Sequence, residues 1–162
     1  MSVAYIALGS NLGDPVATVQ SATASLRRLP RSTVIAASSL YRTEPLGLRN
    51  QPDFINAVVA VETQLNPRQL LDELFAIEGR FGRNRSILNA PRTLDLDVLL
   101  HGNTISNDPQ ITLPHPRLHL RAFVLAPLAE IAPGLFLPGH GDIRLLLNNC
   151  SDQKIETMTV AA

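Results

Sequence analysis

The chain has 162 residues with 14 basic and 14 acidic groups, so its formal net charge is zero. That length suits one domain, and the charge balance excludes a partner bound mainly by bulk charge, such as duplex nucleic acid. Hydrophobic residues make up 45% and charged residues 17%, which marks a globular sequence, while 4% aromatics and no Trp leave the core mostly aliphatic.

Cys150 is the single cysteine, so no intrachain disulfide can form. A reducing compartment suits such a chain, and Cys150 reads as a spectator more readily than as a reactive thiol. The first residues lack the basic start and long apolar run of a signal peptide. No apolar stretch approaches the roughly 20 residues that span a bilayer. A cytoplasmic monomer with no membrane partner is the expectation.

In chain order, Val3 to Leu8 is an apolar run ending at Gly9-Ser10-Asn11-Leu12-Gly13, a buried strand entering a turn. Asp14 then caps a helix with Pro15 at its first position. Val16, Val19, Ala22, Leu26 and Leu29 recur at helical spacing and carry it to about Leu29. Val34 to Tyr41 and Phe54 to Thr63 read as the next two strands. The connection between them is too long for a tight hairpin, and long ordered loops are often functional.

Asn66, Pro67 and Gln69 compose a capping box for a second helix with Leu70, Leu71, Leu74, Ile77 and Phe81 on its apolar stripe. Glu78 falls on that stripe. Either its carboxylate reaches water at the stripe's edge, or it belongs to a site. After a loop over 82–92, Thr93 to about Leu100 reads as a fourth strand. Short helices are expected over Phe123–Ile131 and Asp142–Asn149. Residues 1–162 read as a single domain, with about 151–162 a loose tail. The order strand, helix, strand, strand, helix, strand is that of a ferredoxin-like α+β fold, a largely antiparallel sheet with helices packed on its faces.

The densest polar segment runs from Arg83-Asn84-Arg85 to Pro91-Arg92-Thr93-Leu94-Asp95-Leu96-Asp97-Val98. On a strand, Asp95 and Asp97 share one face. Carboxylates about 7 Å apart repel by roughly 2 kcal/mol at an effective dielectric of about 20, so a cation between them is favoured. Oxygen donors of this kind suit Mg²⁺, and the upstream arginines offer forked donors to phosphate. An Asp-x-Asp pair alone is more often a solvated face; the arginine-rich neighbourhood turns the reading toward a metal. His115, between two prolines, either hydrogen-bonds backbone or serves a site. Arg117, His119 and Arg121 make a second cationic cluster, and Arg121 and Phe123 alternate around Ala122. No P-loop or protein-kinase signature is present.

These motifs have a familiar order. Ala7-Leu8-Gly9-Ser10-Asn11-Leu12-Gly13, Tyr41-Arg42-Thr43 with Pro45-Leu46-Gly47, Gln51-Pro52-Asp53-Phe54-Ile55-Asn56, Pro91-Arg92-Thr93-Leu94-Asp95-Leu96-Asp97, Pro114-His115 and Arg121-Ala122-Phe123 resemble the 6-hydroxymethyl-7,8-dihydropterin pyrophosphokinases of folate biosynthesis. The resemblance runs from Ala4 to about Gly134. It implies transfer of the terminal two phosphates of ATP to the pterin hydroxymethyl group, releasing AMP. Asp95 and Asp97 would hold two Mg²⁺ ions. Arg83, Arg85 and Arg92 would close over ATP, with Arg83 and Arg92 catalytic, and His115 and Arg121 would contact its phosphates. Glu78, Val98 and Thr112 would lie beside the nucleotide. Thr43, Leu46, Phe54, Asn56 and Phe123 would bind the pterin.

The chain departs from some relatives at Asn89, where Trp occurs, at Pro116 for Tyr, at Gln110 for Arg and at Phe54 for Tyr. Two other classes compete with the enzyme: a nucleotide-binding module without catalysis, and a single-stranded RNA binder on the same kind of sheet. The intact set of carboxylates, histidine and arginines counts against the first. Carboxylates where stacking rings would be needed count against the second.

Overall fold

The computed structural model describes residues 1–44, 52–82 and 94–158. Strand β1 (Ser2–Ser10) leads into helix α1 (Pro15–Leu26), β2 (Ser32–Ala37), β3 (Leu40–Thr43), β4 (Phe54–Thr63), α2 (Pro67–Arg80) and β5 (Asp95–His101). A 3-10 turn at Leu118–Leu120 precedes α3 (Ala122–Ile131), a small hairpin of β6 (Phe136–Leu137) and β7 (Gly141–Asp142), α4 (Ile143–Asn148) and β8 (Ile155–Met158).

The described strands form a six-stranded sheet in the order β5-β1-β4-β3-β8, with β2 also pairing β4. Every printed pairing in it is antiparallel. The β1-α1-β2 crossover straddles β4, which is the split arrangement of a ferredoxin-like fold.

Strand alternation divides the core in two. Ala4, Ile6 and Leu8 of β1, with Ile55, Ala57, Val59 and Val61 of β4, face α1 and α2. On the other face Val58, Leu99 and Leu100 meet Leu118, Leu125 and Leu128. Both faces are therefore covered, and β4 is buried along nearly its whole length.

The helix signals act as the spacing predicts. Asp14 Oδ1 accepts the Ala17 N–H at 3.1 Å. Asn66 Oδ1 accepts the Gln69 N–H at 2.8 Å, and Gln69 Oε1 accepts the Asn66 N–H at 2.9 Å, completing the capping box. Helix α1 stops at Leu26 rather than Leu29. Arg28 and Leu29 bond three residues back, to Ser25 and Leu26, so the chain tightens into a turn before Pro30.

Two further expectations are corrected. The strand expected over Val34–Tyr41 breaks into β2 and β3. Ala37 pairs with Val59 and Tyr41 with Asn56, so three residues of one strand face two of the other. Ser38 fills the gap: its N–H donates to the Val58 carbonyl and its hydroxyl accepts the Val58 N–H, each at 2.9 Å. The segment expected to trail loosely instead adds β8 to the free edge of β3, and Gln153 Oε1 accepts the Ala122 N–H at 2.9 Å.

Among the described residues no helix is long and apolar enough to cross a membrane. Asn66→Ala should lower unfolding stability by about 1 kcal/mol, the usual cost of a lost cap, read as a lower urea midpoint at unchanged m-value.

Candidate active site

Side chains of the α3-side face run out of hydrophobic cover where β1, β4 and β5 meet the N-terminus of α3. A cleft of about 270 Å³ opens there, lined by Ala7 and Gly9 of β1, Thr43 and Glu44, Phe54 and Asn56 of β4, Asp95, Asp97 and Leu99 of β5, His115, Arg121, Phe123 and Val124. Leu8 also borders it.

Register explains the convergence. Gly9 pairs with Asn56 on one side and with Asp95 on the other, and directly opposed residues share a face. Asp97 pairs with Ala7 in the next row. Gly9 leaves room here: a Cβ would stand 3.1 Å from Asn56 Oδ1, close enough that the amide would have to give by a few tenths of an ångström. The Asn56 amide donates to Thr43 Oγ1 at 2.9 Å in a buried setting, which fixes the orientation of both.

On β5 the ladder slips, with Tyr5 opposite Leu100 and Ile6 opposite Val98. Leu99 is the extra residue of a bulge. Its carbonyl accepts the His115 N–H at 2.9 Å, which carries the Pro114-His115 segment into the cleft. His115 Nδ1 accepts the Arg117 N–H at 3.2 Å, so the neutral ring holds its proton on Nε2. Burial pushes the imidazole below its ordinary value near 6.5, and Arg121 and Arg117 add to that while Asp97 opposes it. The Arg121 guanidinium lies 5.4 Å from the Phe123 ring centroid, so cation and ring do occupy the same cavity.

Of the sequence-derived candidates, the cleft gathers Asp95, Asp97, His115, Arg121, Thr43, Phe54, Asn56 and Phe123. Arg83, Arg85, Arg92, Leu46 and Asn89 lie outside the described residues. Val98 packs into the core under the helices, on the opposite face from the cleft. The Thr112 hydroxyl donates to the Asp108 carbonyl at 3.0 Å, and Thr112 does not line the cleft. His119 turns from the cationic cluster and stacks on His140 at 3.9 Å between ring centroids.

Glu78 does not reach water. It is 1% exposed, and its Oε2 accepts the Leu96 N–H at 2.8 Å. A strand edge leaves N–H groups unpaired, and a carboxylate from α2 meets one of them here. Burial also pushes the Cys150 thiol up, away from the reactive thiolate. Sequence reasoning missed Glu44, Leu99 and Val124 as cleft residues. The bulge that turns Leu99 inward has no local sequence signature.

An α+β fold whose antiparallel sheet gathers two carboxylates, a histidine and an arginine around one cleft is suited to a small transferase. More particularly, the chain belongs to the 7,8-dihydro-6-hydroxymethylpterin-pyrophosphokinase family, whose sequence model matches residues 5–133. It is 45% identical over 155 residues to the 2-amino-4-hydroxy-6-hydroxymethyldihydropteridine pyrophosphokinase of Haemophilus influenzae, covering 96% of this chain and 97% of that one. It is 46% identical over 154 residues to the enzyme of the same name from Pseudomonas aeruginosa, covering 95% of each. A solved chain of Plasmodium falciparum HPPK-DHPS with pteroate superposes with a TM-score of 0.73 over 91% of this chain and 42% of that chain. Its identity is 16%, so that likeness speaks for the fold.

Because the folded His115 binds its proton less readily than the unfolded one, acid costs stability below about 6.5, down to the folded value. Arg121→Ala removes a cation and opens the cleft. Both effects should raise the His115 midpoint in an NMR titration of its ring proton.

Proposed function

We infer that this chain transfers the terminal pyrophosphoryl group of ATP to 6-hydroxymethyl-7,8-dihydropterin, giving the pterin diphosphate and AMP, a step of folate biosynthesis. The observation that carries the reading is that one cleft is lined by Phe54, Phe123, Asn56 and Thr43 together with Asp95, Asp97, His115 and Arg121.

A pterin is flat with an amide-like edge. Phe54 and Phe123 suit stacking on its faces, and Asn56 and Thr43, already oriented by their mutual hydrogen bond, suit its polar edge. Leu46 completes the pocket in this proposal. The hydroxymethyl arm then points toward Asp95 and Asp97. Its oxygen attacks the β-phosphorus of ATP, the bond from that phosphorus to the α-phosphate's bridging oxygen breaks, AMP departs with that oxygen, and the hydroxyl proton is lost. Such transfer needs positioning and charge stabilisation more than covalent chemistry.

Asp95 and Asp97 fit Mg²⁺. They are hard oxygen donors on adjacent rows of one face, both lining the cleft, and Mg²⁺ takes few protein carboxylates and completes its shell with water and substrate phosphate. Two ions are proposed; when bound, they neutralise triphosphate charge and orient it. Arg121 and His115 serve the phosphates from the opposite wall, with Arg83, Arg85 and Arg92 covering them. Glu78, Val98 and Thr112 do not line the cleft; Glu78 instead holds the Leu96 N–H of β5. The chain acts as a cytoplasmic monomer on these small molecules, folded as one domain over 1–162.

Asp95→Ala and Asp97→Ala should each cut turnover by at least about a hundredfold while circular dichroism stays native. Chromatography of nucleotides after mixing protein, ATP, Mg²⁺ and the pterin checks this. Pterin-dependent AMP is expected from the unaltered chain. ADP would mean an ordinary kinase, and full activity in either variant would refute the metal assignment.

A further inference from the structure

The bulge between β2 and β3 leaves the Ser39 N–H without a place in the ladder, and the group that takes it comes from another element. Glu130, near the C-terminal end of α3, accepts the Ser39 N–H at 3.1 Å on Oε1 and 2.9 Å on Oε2. Its Oε2 also accepts the Ser39 hydroxyl at 3.1 Å, and its Oε1 accepts the Tyr41 hydroxyl at 2.6 Å. Exposed carboxylates usually hold one weak partner. This one is exposed, yet it gathers three donors from two residues of one strand junction.

Each end of this clamp leads to a wall of the cleft. Tyr41 pairs with Asn56 across the ladder. Thr43, two residues on and so on the same face, holds the Asn56 amide at 2.9 Å. At the other end of α3, Phe123 and Val124 line the opposite wall. The ten residues of α3, about 15 Å end to end with Pro127 among them, carry Phe123 at one end and Glu130 at the other. Glu130 therefore ties the β3–β4 wall to the α3 wall.

We propose that Glu130 is a positioning residue for the pterin: by clamping Ser39 and Tyr41 it sets the spacing between the Thr43–Asn56 edge and the Phe123 ring. This rests on the assignment of the pterin to those residues. The Tyr41 phenol, pushed up to about 12 by burial and by the Glu130 carboxylate that accepts its hydrogen bond, reports on the clamp independently of any ligand.

The test compares the unaltered chain with Glu130→Ala, Glu130→Gln and Tyr41→Phe. Glu130→Ala should raise KM for 6-hydroxymethyl-7,8-dihydropterin roughly tenfold, with KM for ATP within about twofold. Tyr41→Phe, which removes one hydrogen bond, should raise it less and carries the test if the alanine variant fails to fold. Combining it with Glu130→Ala should add nothing further, because the two act as a unit. In Glu130→Gln, carbon NMR should show the Tyr41 phenol titrating lower, toward ordinary tyrosine. In ligand-free Glu130→Ala or Tyr41→Phe, the side-chain amide resonance of Asn56 should move.

A folded Glu130→Ala enzyme with lower Tm and unchanged pterin KM would overturn the proposal, as would equal increases in both KM values. If the unaltered chain does not use the pterin, the substrate reading falls on that result. The clamp then stands or falls on the Asn56 resonance, and an unmoved Asn56 amide overturns it.

Discussion

The register of β1 between β4 and β5 is the constraint on which the rest depends. Asp95, Gly9, Asn56 and Tyr41 form one row across four strands, each opposed to the next. Opposed residues share a face, so this single row puts a carboxylate, an open space, a carboxamide and a phenol on the side facing α3. A slip of one residue would send Asp95 and Asp97 into the aliphatic layer beneath α1 and α2. Unpaired ionised carboxylates there would cost several kcal/mol. The hydrophobic pattern of β1, with Ala4, Ile6 and Leu8 locked into that layer, therefore also fixes the chemistry on its reverse.

Stability and chemistry thus occupy different parts of the same sheet. The face under α1 and α2 is aliphatic along its length. The other face is covered by α3 and the 3-10 turn over most of its extent and left open at one end. Glu78 is a carboxylate spent on structure, holding the Leu96 N–H from beneath while Asp95 and Asp97 on the same strand stay in the cleft. The bulge at Leu99 and the one at Ser38–Leu40 serve a common purpose. Each frees backbone groups from the ladder, and each freed group is met by a segment that shapes the cleft: the His115 turn in one case, α3 through Glu130 in the other.

Much of the site was legible because its residues come in short, rule-governed motifs. Asp95 and Asp97 follow from strand alternation, the two long helices from their caps, and Arg121 with Phe123 from spacing at the entrance to α3. Glu78 shows where local reasoning stops: its place on the stripe was plain, but its partner is a backbone group on a strand 18 residues away. His119 shows the same limit, since stacking on His140 depends on how the β6–β7 hairpin docks.

By itself the sequence determined the element order, the caps, the alternation of β1 and β5, and the family to which the chain belongs, since these reside in residues close along the chain or in motifs that keep their order. Tertiary structure decided what crosses between elements. It broke the second strand at Ser38, drew Ile155–Met158 into the sheet, buried Glu78 and brought Glu130 to Tyr41. The reason is physical: an orphaned N–H or a free strand edge must find a partner, and which partner lies within reach is set only when the layers pack.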